Sequence, residues 1–284
     1  VDSDSKNKIN FVERIHINRL ISYQMTSEQN YAEINKQSWN NRTDIHIKSE
    51  FYDVPGFLKG KSSLNEIELK LLGDVKGKSI LHLQCHFGQD SISLSRLGAQ
   101  VTGVDLSDRA IENAKLLANQ AQTDTAFICC NIYDLPQHLN QKFDIVFTSY
   151  GVIGWLPDLN QWASLISGYL KPKGKFVLVE FHPVVWMFDN DFEKVAYNYF
   201  KDGAIIETES GTYADRNAEG QSGGRLFRLV ESGNIPDAKG TRRRAGHRHD
   251  GCRAARVAQA KPRGIDLHLE DHRQRHAAGI AGRR

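Results

Sequence analysis

Long hydrophobic runs are missing from this chain. Its most apolar stretch, Phe176 to Phe188, is broken by Glu180, His182 and Pro183, so no segment approaches the roughly 18 residues of a membrane helix. The first twenty residues hold no apolar core ahead of a small-residue cleavage site, which argues against secretion. Cysteine is scarce: Cys85, Cys129, Cys130 and Cys252 show no framework spacing, and reduced thiols in a cytoplasm are the expectation. Aromatics vanish after Phe227. From Lys239 onward there are 13 Lys and Arg against 4 Asp and Glu, whereas residues 1–238 carry 24 against 30. A segment with so little to bury is not expected to build a core. The chain therefore divides into residues 1–24, a non-native extension ahead of a natural start at Met25; a folded domain over 25–217; and an Arg-rich tail over 218–284, disordered or frame-shifted. The boundary falls at Asn217 to Gly224, "NAEGQSGG".

What the domain does contain is an alternation of periods. Short apolar runs at Ser79–Leu83, Gln100–Val104, Thr125–Cys129, Phe143–Ser149 and Lys175–Phe181 read as strands. Between them lie helical patterns: Asp90 to Leu97, a segment N-capped by Ser107 with apolar residues from Ala110 to Ala118, and Leu159 to Leu170. Strands alternating with helices predict an α/β fold with a doubly wound, mainly parallel sheet. Ligands of such sheets bind beyond the carboxyl ends of the strands. Two loops there stand out, "LQCHFGQD" after the first strand and "VDLSD" after the second. Asp105 ends the second strand, where its carboxylate either accepts hydrogen bonds from a ribose diol or caps the following helix. His82 and His86 flank Cys85, but on a strand and a turn these side chains need not converge, and no metal is expected.

The successive motifs "ILHLQCHFG", "VTGVDLSDRAIENA", "CCNIYDLP", "FDIVFTSYGVIGWLPD" and "LKPKGKFVLVE" resemble those of the class I S-adenosylmethionine-dependent methyltransferases, over about Trp39 to Asn217. The first motif is similar to a bacterial variant of "LHLQCHFGQD" type. It departs from the usual pattern, with His82 in the acidic position, Gln84 and His86 in place of the first two glycines, and Gly88 kept. The resemblance implies a Rossmann-like fold, S-adenosyl-L-methionine as cofactor and methyl transfer, and a small-molecule acceptor is the default because no RNA-binding domain is evident. It also implies cofactor contacts from Gln84, Cys85, His86 and Gly88 in the first loop, from Asp105 and Leu106 in the second, and from Asn131 and Ile132 near the adenine. Trp39 would lie on an N-terminal lid helix. The family usually closes its sheet with two further strands, and the Arg-rich tail shows no alternation to supply them, so an incomplete C-terminal edge is expected.

Methyl transfer rests largely on positioning, and a base is optional. His182 is the preferred candidate because imidazole titrates near neutrality, with Tyr150 and Glu180 as alternatives at the ends of strands four and five. His182 also reads as a polar residue closing a strand before Pro183. Two other functions compete: a nucleotide-binding oxidoreductase on a Rossmann-like sheet, disfavoured by the absence of G-x-G-x-x-G, and non-specific nucleic-acid binding through the basic tail.

Overall fold

A computed structural model describes residues 31–189, 192–199, 204–207, 211–219, 224–227, 253–261 and 264–269. Residues 1–24, Met25 and the arginine cluster 242–244 lie outside the described residues. Helix α1 (31–46) leads into the short α2 (Val54–Leu58) and α3 (Glu66–Leu72). Strands and helices then alternate: β1 (Ser79–Leu83), α4 (Gln89–Arg96), β2 (Gln100–Asp105), α5 (Asp108–Gln120), β3 (Ala126–Cys129), β4 (Phe143–Ser149), α6 (Leu159–Tyr169) and β5 (Leu170–Phe181). Strands β1 to β5 are mutually parallel in the order β3-β2-β1-β4-β5, with the switch of direction between β1 and β4. The fold is a Rossmann-like α/β fold.

Strand parity builds the core on both faces of this sheet. Ile80, Ile145, Phe147, Val177 and Val179 pack with Leu71, Leu72 and Leu94 of α3 and α4. Leu81, Leu83, Val146 and Phe176 pack on the other face with Trp162, Ile166 and Tyr169 of α6. Because successive side chains in a strand point to opposite faces, His82 shares the face of Ile80, and its Nδ1 lies 2.8 Å from the Ser91 hydroxyl of α4. Helix α5 starts where expected: the Ser107 side chain accepts from the Ala110 amide at 3.0 Å.

The C-terminal part differs from the expected incomplete edge. Strands β6 (Ala204–Glu207) and β7 (Gly224–Phe227) pair antiparallel, across the boundary expected at Asn217 to Gly224. Strand β8 (Arg253–Lys261) then pairs antiparallel with β5, from Lys175 opposite Gln259 to Phe181 opposite Arg253, and β9 (Gly264–Leu269) pairs antiparallel with β8. The reason is that ladder hydrogen bonds come from the backbone, so an Arg- and Ala-rich segment pairs without aromatic residues. Ile265, Leu267 and Leu269 do alternate with Asp266 and His268, a period the low aromatic content of the tail obscured.

Removing residues 251–284 would bare the whole outer edge of β5. The expected outcome is a melting temperature lower by roughly 5 °C or more together with light scattering from association. A truncated chain that melts and scatters like the full one would show that the β5–β8 ladder contributes nothing.

Candidate functional site

The loop from β1 to α4 carries three left-handed residues, Gln84 (φ 55°), His86 (φ 52°) and Gly88 (φ 80°). These are the positions at which glycines are usual, so the backbone keeps a glycine-type turn although two of its residues carry side chains. Each non-glycine residue there costs on the order of 1–2 kcal/mol, which the surroundings offset through named bonds. The Cys85 amide donates to the Val104 carbonyl (2.9 Å), and the His86 amide donates to Oδ2 of Asp105 (2.8 Å). The other carboxylate oxygen of Asp105, Oδ1, accepts from the Ser107 amide (2.9 Å). Asp105 thus braces both loops, while the N-cap of α5 is Ser107 rather than Asp105. Burial pushes the Asp105 carboxyl above its usual range, and the backbone amides of Ser107, His86 and Leu106 oppose that shift. A carboxylate has about four acceptor positions, so these amides leave capacity for a further donor.

Gly88 makes room for packing. A Cβ there would lie 2.6 Å from Phe127 Cζ and 3.0 Å from Ala114 Cβ, so its missing side chain makes room for the packing of α5 and β3 beneath the loop. Cys85 is buried in that same cluster with Phe57, Phe87 and Phe127, and burial raises its thiol pKa, which makes it a packing residue.

Helix α1 lies across these loops. Its buried residues include Asn35, Ser38, Thr43 and His46, a polar set unlike the apolar stripe of a core helix. The Asn40 side-chain oxygen accepts from the Ser107 hydroxyl at 2.6 Å, Lys36 pairs with Asp108 at 3.4 Å, and Asp44 pairs with Arg109 at 3.2 Å. His46, wholly buried, meets His86 through a 2.9 Å Nδ1–Nε2 hydrogen bond. Trp39 packs edge-on to His86 and to Trp155, each 5.2 Å between ring centroids, with the Arg42 guanidinium 5.6 and 5.7 Å from the two indoles. Asn40, Arg42 and His46 had no signal in the sequence, since no motif spacing marks residues that a helix carries across a cleft.

At the end of β3, Cys129 stands opposite Asp105 in the ladder, with its thiol on the Leu106 carbonyl at 3.7 Å. The Asn131 side chain accepts from the Tyr133 amide at 3.1 Å, and Ile132 is buried in the core with Leu83 and Leu135. Asn131 therefore starts the 3-10 helix Ile132–Gln137, and the Ile132 side chain is committed to packing.

The candidates at the ends of β4 and β5 each meet the backbone or a neighbouring side chain. Glu180, 5% exposed, accepts from the amides of Gly151 (2.5 Å), Val152 (2.7 Å), Ile153 (3.3 Å) and Phe181 (2.8 Å). Its oxygens are spent on the backbone. His182 is exposed, and its Nδ1 accepts from the Val184 amide at 3.3 Å, capping the 3-10 helix Pro183–Met187. Tyr150, in a left-handed conformation (φ 46°), receives a 3.4 Å hydrogen bond from Asn65 on its hydroxyl. A further acid, Asp90 in the first turn of α4, accepts from the Ser149 hydroxyl at 3.1 Å, and burial raises its pKa. Its helical spacing had suggested only a helix start. Among the described residues no cluster of metal-binding side chains occurs, and no helix is long and apolar enough to cross a membrane.

The fold and the braced loops define an α/β domain whose two loops meet at the carboxyl ends of β1 and β2. Residues 81–178 match the family described as "Methyltransferase domain". A ubiquinone biosynthesis O-methyltransferase of Coxiella burnetii is 32% identical over 152 residues, covering 52% of this chain and 62% of that protein. An uncharacterized methyltransferase of Synechocystis is 35% identical over 133 residues, 45% of this chain and 59% of its own length. The chain thus spans about three-fifths of the curated relatives it matches. An S-adenosylmethionine-dependent methyltransferase structure from Mesorhizobium loti aligns with a TM-score of 0.39 at 27% identity, over 46% of this chain and 59% of that one.

Two outcomes follow. Gly88→Ala should lower stability by roughly 1–3 kcal/mol, read as a lower melting temperature, since a Cβ is strained at this φ and collides with Phe127; an unchanged melting temperature would show that the contact relaxes freely. The second concerns acid. His46 and His82, held neutral by burial, protonate only near pH 3 in the folded chain against 6.5 otherwise. Between those values the unfolded chain holds more protons, so stability is complete above about pH 6.5 and falls as pH drops, by about 1.4 kcal/mol per unit and group. Urea unfolding at about pH 7.5 and about pH 5 should show a smaller loss in His82→Gln than in the parent chain, and equal losses would refute the buried neutral state.

Proposed function

We propose that this chain transfers a methyl group from S-adenosyl-L-methionine to a small-molecule acceptor. The observation that carries the reading is Asp105: a half-buried carboxylate at the end of β2, fixed by backbone amides from both flanking loops, with acceptor capacity to spare. Its chemistry fits a ribose diol, since two hydroxyl donors on one carboxylate make charge-assisted bonds. The match of residues 81–178 to a methyltransferase domain supports the same reading.

In this reading Asp105 holds the ribose. Asn131 and the Ile132 backbone border the adenine, and Leu106 and the Gln84–Gly88 turn face the rest of the nucleoside. Trp39 covers the cleft from α1. The cofactor supplies a methyl carbon activated by positive sulfur. The chain's own part is to orient the acceptor in line and to exclude water, which the α1 contacts with Ser107, His86 and Trp155 favour. Glu180 and the Nδ1 of His182 accept from backbone amides, and in this reading the transfer proceeds without a dedicated base. The O-methyltransferase names of the relatives favour an oxygen acceptor.

Asp105→Asn keeps the size of the side chain and removes its charge. S-adenosylhomocysteine affinity, measured by calorimetry, should fall about thirtyfold to a hundredfold. Wild-type affinity in the folded variant would remove Asp105 from the site and take this function with it.

A further inference from the structure

The first motif lacks an acidic residue at the end of β1, and His82, which stands there, is turned into the core. It lies 2% exposed, bonded to Ser91 and with its ring 4.8 Å from that of Phe147. An amino-acid ligand still brings an ammonium group, and a buried ammonium needs an acceptor. We propose that the side-chain oxygen of Gln84 is that acceptor and that Glu180 is the positioning residue that sets it; this rests on the cofactor reading above.

The geometry runs through one short chain of bonds. Glu180 gathers the amides of Gly151, Val152 and Ile153 and so fixes the loop after β4. The Val152 carbonyl, held in place by that loop, accepts from Nε2 of Gln84 at 3.2 Å. The amide orientation is forced, because the reverse would set an oxygen against the Val152 oxygen. Gln84 Oε1 is therefore the free end, and it is buried with no hydrogen-bond partner. A buried carbonyl oxygen left unpaired costs free energy unless a donor arrives. Gln84 also occupies a left-handed conformation that glycine would take without strain, so its side chain persists there against a local cost. A neutral acceptor anchored by its own N–H to a loop that a buried carboxylate holds offers a cation one oxygen and no competing donor.

Two ligands separate this role from mere loop support: S-adenosylhomocysteine, and 5′-methylthioadenosine, which keeps the adenosine thioether but lacks the amino-acid end. In calorimetry on the full chain, Gln84→Met should weaken S-adenosylhomocysteine about tenfold to a hundredfold and leave methylthioadenosine within about twofold. Glu180→Gln, which turns one acceptor into a donor facing backbone amides, should give the same selective loss, and the double variant should be no worse than the poorer single one. If the methionine variant does not fold, Gln84→Gly makes the same comparison on a backbone that accepts glycine. Unchanged S-adenosylhomocysteine binding, or equal loss of both ligands, would overturn the assignment of Gln84. A parent chain that binds neither ligand would instead overturn the cofactor reading itself.

Discussion

The hydrogen bond from the His86 amide to the Asp105 carboxylate, 2.8 Å long, is the constraint on which the site depends. A turn with left-handed Gln84 and His86 is locally unfavourable, and its internal bond from the Gly88 amide to the Cys85 carbonyl (3.0 Å) leaves the His86 amide to be satisfied from outside. The offset comes from the neighbouring strand. β1 and β2 run parallel with Leu83 opposite Val104, so the residue after Val104 arrives beside the turn, and its carboxylate meets the outward-facing amide. The same carboxylate takes the Ser107 amide and aligns the start of α5. One side chain fixes two loops, and backbone amides from both set its own geometry.

The parts of this arrangement that the sequence disclosed are those governed by periodicity. All five parallel strands and the helices between them follow from alternating apolar runs and from Ser107, and the two loops follow from the rule that places ligands at strand carboxyl ends. Roles that depend on which way a side chain turns were not legible. Glu180 reads as an acid at a strand end, and only the fold of the Gly151–Ile153 loop shows that it serves backbone amides. His182 resolves to the polar cap that its place before Pro183 allowed. Strand β8 was missed because composition speaks of cores, whereas an edge strand needs only backbone donors and acceptors in register.

Helix α1 shows how far local signals reach. Its sequence is largely polar around Trp39, and nothing in it tells which surface it meets. In the fold it touches Ser107, Asp108 and Arg109 at the start of α5, His86 in the first turn and Trp155 after β4, and its His46 ring also packs on Tyr52 and Tyr213. The ion pairs of Lys36 and Asp44 are exposed enough to be worth at most about 1 kcal/mol each. Beside the packing of His46 on Tyr52 and Tyr213, the helix is held by the buried His46–His86 bond and by the packing of Trp39 on His86. Both of these end on the turn that Asp105 braces. The seat of α1 and the shape of the first loop are therefore tied together through His86, whose ring meets the helix and whose amide meets Asp105.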